Sequence, residues 1–117
     1  MANLLSPEEM PNDFDYPSSF VRIVELGITN LEPWHILDGE LLRRRAAGVA
    51  QRYAHRVLVP FAYRQDSDDL ACWEPGKLGE GVVVIHDFAA ADWEGRNGYA
   101  DFRDWLRQAV EDMIEFE

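Results

Sequence analysis

Apolar residues recur at intervals of three and four near the end of the chain, which is the spacing of one helix face. They are Phe102, Trp105, Leu106, Ala109, Val110 and Met113. Asp101 precedes them as a predicted N-cap, and Asp104 follows three residues later, as in a capping box. The pattern predicts a helix that starts after Asp101.

Two earlier segments have weaker helical patterns. Ser18 is a predicted N-cap after Pro17, and apolar residues then recur at Phe20, Ile23, Val24 and Ile28, where Gly27 and Thr29 weaken the pattern. Asp38 is the predicted cap of a second helix whose apolar stripe is Leu42, Ala46, Val49, Ala50 and Tyr53. Between them, Trp34 to Leu37 favours a short extended segment.

The middle of the chain changes from helical spacing to short runs of branched and aromatic residues. These runs are Val57 to Tyr63, Leu70 to Trp73 and Gly81 to Phe88, separated by the turn-like segments RQDSDD and EPGKLGEG. They predict three consecutive antiparallel strands in a meander. Pro60 cannot donate a backbone hydrogen bond, so it indicates an edge position, a bulge or a strand entry.

The predicted order is helix, extended segment, helix, three strands, helix. This order favours an α+β fold, an antiparallel sheet with helices packed on it. The length of 117 residues, 47% of them hydrophobic, suits one domain. Residues 16–117 are predicted to form that domain, and residues 1–15 a polar N-terminal arm.

Charge is unevenly distributed, with a formal net charge of −11 from 22 acids and 11 bases. Residues 1–60 carry 8 acids and 6 bases, whereas residues 61–117 carry 14 and 5. The resulting field repels nucleic acid and anionic lipid and attracts a cationic protein, although net charge also simply keeps a domain soluble. Cys72 stands alone and no run of apolar residues is long enough for a membrane helix, so we expect a cytoplasmic protein.

The acids of RQDSDD do not have the spacing of a calcium loop, because Leu70 and Ala71 occupy positions five and six counted from Asp66. The three histidines lack zinc-ligand spacing. His86 and Asp87 are adjacent on a strand, so their side chains point to opposite faces. We therefore expect no metal site.

Catalytic motifs are not apparent either. GKLGEG has leucine where a phosphate-binding loop needs serine or threonine after its lysine, and a G-x-S-x-G elbow is missing. Arginines 43–45 fan around a helix and do not form a nucleic-acid stripe. We expect neither enzymatic activity nor a cofactor.

Contact with a protein partner is the remaining interpretation of several polar and aromatic residues. Two tryptophans each stand beside a glutamate near a predicted loop, which suits an interface, although burial in the core explains a tryptophan equally well. The turn aspartates also favour turn geometry by themselves. The predicted contact residues are Asp66, Asp68, Asp69, Trp73, Glu74, Asp92, Trp93 and Glu94.

The order of short motifs over residues 16–114 resembles the SUKH superfamily, whose bacterial members are known largely as immunity proteins of toxin systems. The motifs that carry the resemblance are Tyr16-Pro17, Leu26-Gly27, Trp34 to Leu37, Leu58 to Ala62, Asp69 to Trp73, Val82 to Asp87, Phe102 and Trp105-Leu106. The resemblance implies a protein-binding α+β domain without catalytic residues.

These observations predict an acidic domain that binds and neutralises a cognate toxin, for example a basic nuclease. Two rival hypotheses stay open: a scaffold or regulatory domain that uses the same surface, and a domain with a small-molecule pocket between sheet and helices.

Overall fold

A computed structural model describes residues 3–77, 79–86 and 94–116, of which 94–97 are described by their backbone only. The helices are α1 (Ser18–Glu25), α2 (Gly39–Arg52) and α3 (Phe102–Glu115). The strands are β1 (Asn30–Leu31), β2 (Trp34–Ile36), β3 (Val59–Arg64), β4 (Asp69–Trp73), β5 (Val82–His86) and β6 (Glu94–Tyr99).

Helix α3 begins where the sequence pattern predicts. The Asp101 carboxylate accepts a hydrogen bond from the Asp104 backbone N–H at 2.9 Å, which satisfies one donor of the first turn. The Asp104 carboxylate reaches back to the Ala100 N–H at 3.2 Å. The helix buries Phe102, Trp105 and Ala109 against the sheet.

Of the other two helices, α2 starts as predicted and α1 starts one residue earlier than predicted. Pro17 is the N-cap of α1, and Ser18, the predicted cap, is its first helical residue. The chain leaves α1 through Gly27 at φ 75°, a conformation that favours glycine. Asp38 is the N-cap of α2, as predicted. Within the described ranges, no helix is long and apolar enough to cross a bilayer.

The six strands form one antiparallel sheet in the order in which they occur along the chain, β1 to β6. The three helices accompany this sheet, so the α+β prediction is confirmed. Strands β1 and β6 were not predicted. β1 has two residues, and the sequence EGRNGY of β6 has two glycines and no alternation of apolar and polar residues.

Pro60 lies at a bulge inside the sheet. β3 pairs with β2 on one side and β4 on the other, so it is not an edge strand, but Pro60, its second residue, pairs only with β4, because the register with β2 begins at Ala62. The register shifts between Pro60 and Ala62, which confirms the bulge alternative. The additional residue, Phe61, stacks on Trp73 with the ring centroids 4.2 Å apart.

Aromatic rings fill the space between the sheet and two of the helices. Phe61 contacts Trp105 of α3 at a centroid distance of 4.9 Å, and Phe20 of α1 contacts Trp73 at 5.1 Å and Phe102 at 5.3 Å. On the opposite face of the sheet, alternate side chains are also buried, namely Leu70, Cys72, Val83 and Ile85. The sheet is therefore apolar on both faces.

The predicted N-terminal arm packs on the domain. Leu5 is buried, and the Arg43 guanidinium of α2 donates to the Leu4 carbonyl at 3.0 Å and to the Glu9 carboxylate at 2.8 Å. This hydrogen bond from Arg43 lowers the pKa of Glu9 to about 2. Arg43 thus pairs with an acid of its own half of the chain.

Candidate partner-binding site

The acidic turn between β3 and β4 lies beside the turn between β1 and β2. The Gln65 N–H donates to the Pro33 carbonyl at 2.8 Å, and the Gln65 side-chain amide donates to Glu32 at 3.3 Å. Asp69 pairs with His86 in the β4–β5 register, so β5 ends at the same place. We call this region the acidic end of the sheet and define it by its carboxylates, Glu32, Asp66, Asp68, Asp69 and Asp112.

Arg64 occupies the centre of the acidic end. Its Nε donates to Asp66 Oδ1 at 2.6 Å, and its Nη1 lies 3.6 Å from Asp112 Oδ2. The hydrogen bond from Arg64 lowers the pKa of Asp66, and the same bond raises the pKa of Arg64. One guanidinium therefore fixes the positions of two carboxylates.

Asp112 connects the acidic end to α3. Its Oδ2 accepts a hydrogen bond from the Trp34 indole N–H at 3.0 Å, and its Oδ1 accepts one from Gln108 at 2.9 Å. The Arg64 guanidinium lies over the Trp34 ring, 5.9 Å from the ring centroid. These contacts hold the polar groups against a buried tryptophan, so their geometry is set by the core.

Asp69 pairs across the sheet with His86, whose Nδ1 lies 2.6 Å from Asp69 Oδ1. The two residues are directly opposite in register, where side chains lie on the same face. In the sequence, only the neighbouring Asp87 was considered as a partner of His86. The structure supplies a partner from the adjacent strand instead, and Asp87 lies outside the described residues.

Asp68 is exposed at the tip of the turn, and it forms no ion pair with any residue in the described part of the chain. Asp66 and Glu32 are exposed as well. Since Asp66 already has the Arg64 guanidinium as its partner, Asp68 and Glu32 are the exposed carboxylates here whose negative charge is least balanced. Such an arrangement can bind a lysine or arginine side chain of another protein.

Trp73 and Glu74 lie at the other end of β4, and both are buried. Trp73 packs among Phe14, Phe61 and Phe102, and its indole nitrogen has no hydrogen-bond partner among the described atoms. Glu74 accepts two hydrogen bonds from Arg56, at 2.7 and 2.9 Å, which lower its pKa. Of the two interpretations of Trp73, the structure thus agrees with burial in the core, and Glu74 is held in the interior by an internal ion pair, so neither residue lies at the surface.

The remaining predicted contact residues follow β5. Glu94 is the first residue of β6, and its backbone pairs with Ile85. The structure describes only the backbone of Glu94. Asp92 and Trp93 lie outside the described residues. The structure therefore brings together Asp66, Asp68 and Asp69 and separates them from Trp73 and Glu74.

Four residues of these networks were not predicted from the sequence: Glu32, Arg56, Arg64 and Asp112. Trp34 and Asp112 are 78 residues apart, and charge patterning along a helix or strand does not reveal such a contact. A local signal existed for Arg64, which stands two residues before Asp66 at the start of a tight turn.

Among the residues that the structure describes, no group of three or more histidine, cysteine, aspartate or glutamate side chains is placed to hold a metal ion. The acidic end of the sheet therefore offers separate carboxylates and ion pairs.

In comparisons with protein-family models, curated proteins and solved structures, no match to this chain was found. The resemblance to the SUKH superfamily thus rests on the short motifs quoted above.

Proposed function

We propose that this chain is a non-enzymatic protein-binding domain that neutralises a cognate toxin of a bacterial toxin-immunity system. The acidic end of the sheet contacts a basic surface of that toxin. The motif order supports the toxin-immunity part of the proposal, and the net charge of −11 supports a cationic partner.

The position of Arg64 is the observation that best supports this binding site. It holds Asp66 at 2.6 Å and lies 3.6 Å from Asp112, and both carboxylates remain partly accessible. Side chains that are already ordered lose less conformational entropy when a partner binds. If the partner is a nuclease, these carboxylates occupy its nucleic-acid groove in place of phosphates.

Binding to the candidate toxin, the product of the neighbouring gene, tests the electrostatic contact. We expect the double substitution Asp66→Asn with Asp68→Asn to slow association by about tenfold and to flatten its dependence on salt, because rim charges act mainly on the association rate. Stopped-flow association rates between 50 and 500 mM salt measure both effects.

A matched control removes two exposed acids from the N-terminal segment, with Glu8→Gln and Asp13→Asn. This control changes the net charge equally and should leave association nearly unchanged. Equal rates for the wild type and the Asp66/Asp68 variant, or equal slowing in both double variants, would rule out the acidic end as the contact site.

Co-expression separates toxin neutralisation from a scaffold function. We expect the wild-type chain to rescue growth of cells that produce the toxin, and a binding-deficient variant to fail. Tight binding without rescue would leave a scaffold or regulatory domain as the function of the same surface.

A further inference from the structure

Helix α3 carries an apolar ridge on its outer side. Leu106, Val110 and Ile114 follow each other at intervals of four residues and therefore align along one side of the helix. Leu106 and Val110 are half-buried against the core, whereas 68% of Ile114 is exposed. The ridge thus continues from the core into solvent.

Open grooves accompany this ridge. One, of about 850 Å³, lies between α1 and α3 and includes Ile23 and Leu106. A second, of about 690 Å³, includes Tyr99, Leu106 and Val110. A ridge between grooves is the shape that packs against another helix, whose own ridges enter the grooves.

Two opposite charges lie along one side of the ridge. Arg107 and Glu111 are exposed and stand one helical turn apart, on either side of Val110 in sequence. Neither forms an ion pair with another residue in the described ranges of the chain. Because Arg107 precedes Glu111 along α3, an antiparallel second copy of the helix would bring each arginine opposite a glutamate.

We propose that a second copy of this chain binds this surface, with its α3 antiparallel and a two-fold axis beside Val110. In this arrangement, Leu106 of each copy lies near Ile114 of the other, and each Arg107 lies near the opposing Glu111. A two-fold interface repeats each contact twice. A parallel arrangement would place Arg107 beside Arg107 and Glu111 beside Glu111, which repel each other.

Net charge opposes this association, because each copy carries −11. At about 0.15 M salt, charges more than roughly 8 Å apart are largely screened, whereas ion pairs in contact are screened less. We therefore expect a concentration-dependent dimer at physiological ionic strength.

Sedimentation equilibrium of the whole chain, without any partner, tests the dimer. The wild type should reach twice the monomer mass at high concentration. Ile114→Asp should weaken dimerisation by about tenfold or more, since it puts a charge into the apolar contact. Because the Ile114 side chain is mostly exposed, this substitution should leave the fold intact, which thermal unfolding checks.

Exchanging the charges of Arg107 and Glu111 tests the proposed contact more specifically than Ile114→Asp does. Arg107→Glu and Glu111→Arg should each weaken the dimer by about tenfold, and the two together should restore it. Glu8→Arg makes the same charge change as Glu111→Arg at an exposed position outside α3, so it serves as the matched control and should dimerise at least as well as the wild type.

Three results would overturn the proposed interface: a wild type that stays monomeric at millimolar concentration, single exchanges that dimerise like the wild type, or a double exchange that fails to recover. None of these measurements involves a toxin, so a result that overturns the dimer interface would leave the proposed function unaffected.

Discussion

Arg56 and Arg64 each bind a carboxylate, at opposite ends of the β3–β4 hairpin and in different surroundings. The side chains of Arg56 and Glu74 are 12% and 5% exposed, whereas those of Arg64 and Asp66 are 29% and 41% exposed. Burial makes each partner of the first pair depend on the other, because an unpaired charge in the interior is costly. The second pair is solvated and can therefore serve a binding surface with little effect on folding.

The largest predicted effect follows from breaking the buried pair. Glu74→Gln removes the carboxylate charge that accepts two hydrogen bonds from the largely buried Arg56 guanidinium, and we expect the free energy of unfolding to fall by about 3 kcal/mol. Urea unfolding followed by tryptophan fluorescence measures the change. The exposed counterpart, Asp66→Asn, should lower the same quantity by less than about 1 kcal/mol. Equal losses in the two variants would contradict the distinction between the pairs.

The contribution of the buried pair to stability should also depend on pH. The hydrogen bonds from Arg56 lower the pKa of Glu74 in the folded state below its usual 4.5. The stability from this shift is fully present above pH 4.5 and is lost as the pH falls through the folded-state pKa. The difference in unfolding free energy between the wild type and Glu74→Gln should therefore shrink below pH 4.5. A difference that stays constant down to pH 2 would show that ionisation of Glu74 is not its source.

Removing Arg64 should lower stability much less than breaking the buried pair does. Arg64→Ala leaves Asp66 and Asp112 without their shared cation and removes the contact with the Trp34 ring. Because these groups are partly solvated, we expect a loss of about 1 kcal/mol. Thermal or urea unfolding measures it, and Arg103→Ala, an exposed arginine at the start of α3, is the matched control. A loss as large as that of Glu74→Gln would mean that Arg64 holds the core rather than the surface.

Periodicity made the helices and the central strands predictable from sequence. The repeat from Phe102 to Met113 and the cap at Asp101 locate α3 almost to the residue, because both signals are local. β6 could not be predicted this way, since its glycines contribute no apolar face. Pro60 left three alternatives open, and only the pairing of β3 on both sides decides among them.

The candidate site was predictable to a smaller extent. The turn aspartates were identified by their density, but their partners depend on strand register and on contacts between distant parts of the chain. Asp69 meets His86 because β4 and β5 align in one register, and a shift of one residue would separate them. Trp73 was ambiguous, since an aromatic residue beside an acid suits both an interface and a core.

The order of the strands bears on how the chain folds. Every hydrogen-bonded pair among the described strands is consecutive in sequence, so each pairing closes a short loop except that of β2 with β3, whose connection contains α2. The contact between Phe20 and Phe102 instead joins residues near the two termini. We expect the hairpins to assemble early and the docking of α1 on α3 to complete the native state, so that substitutions of Phe102 mainly accelerate unfolding.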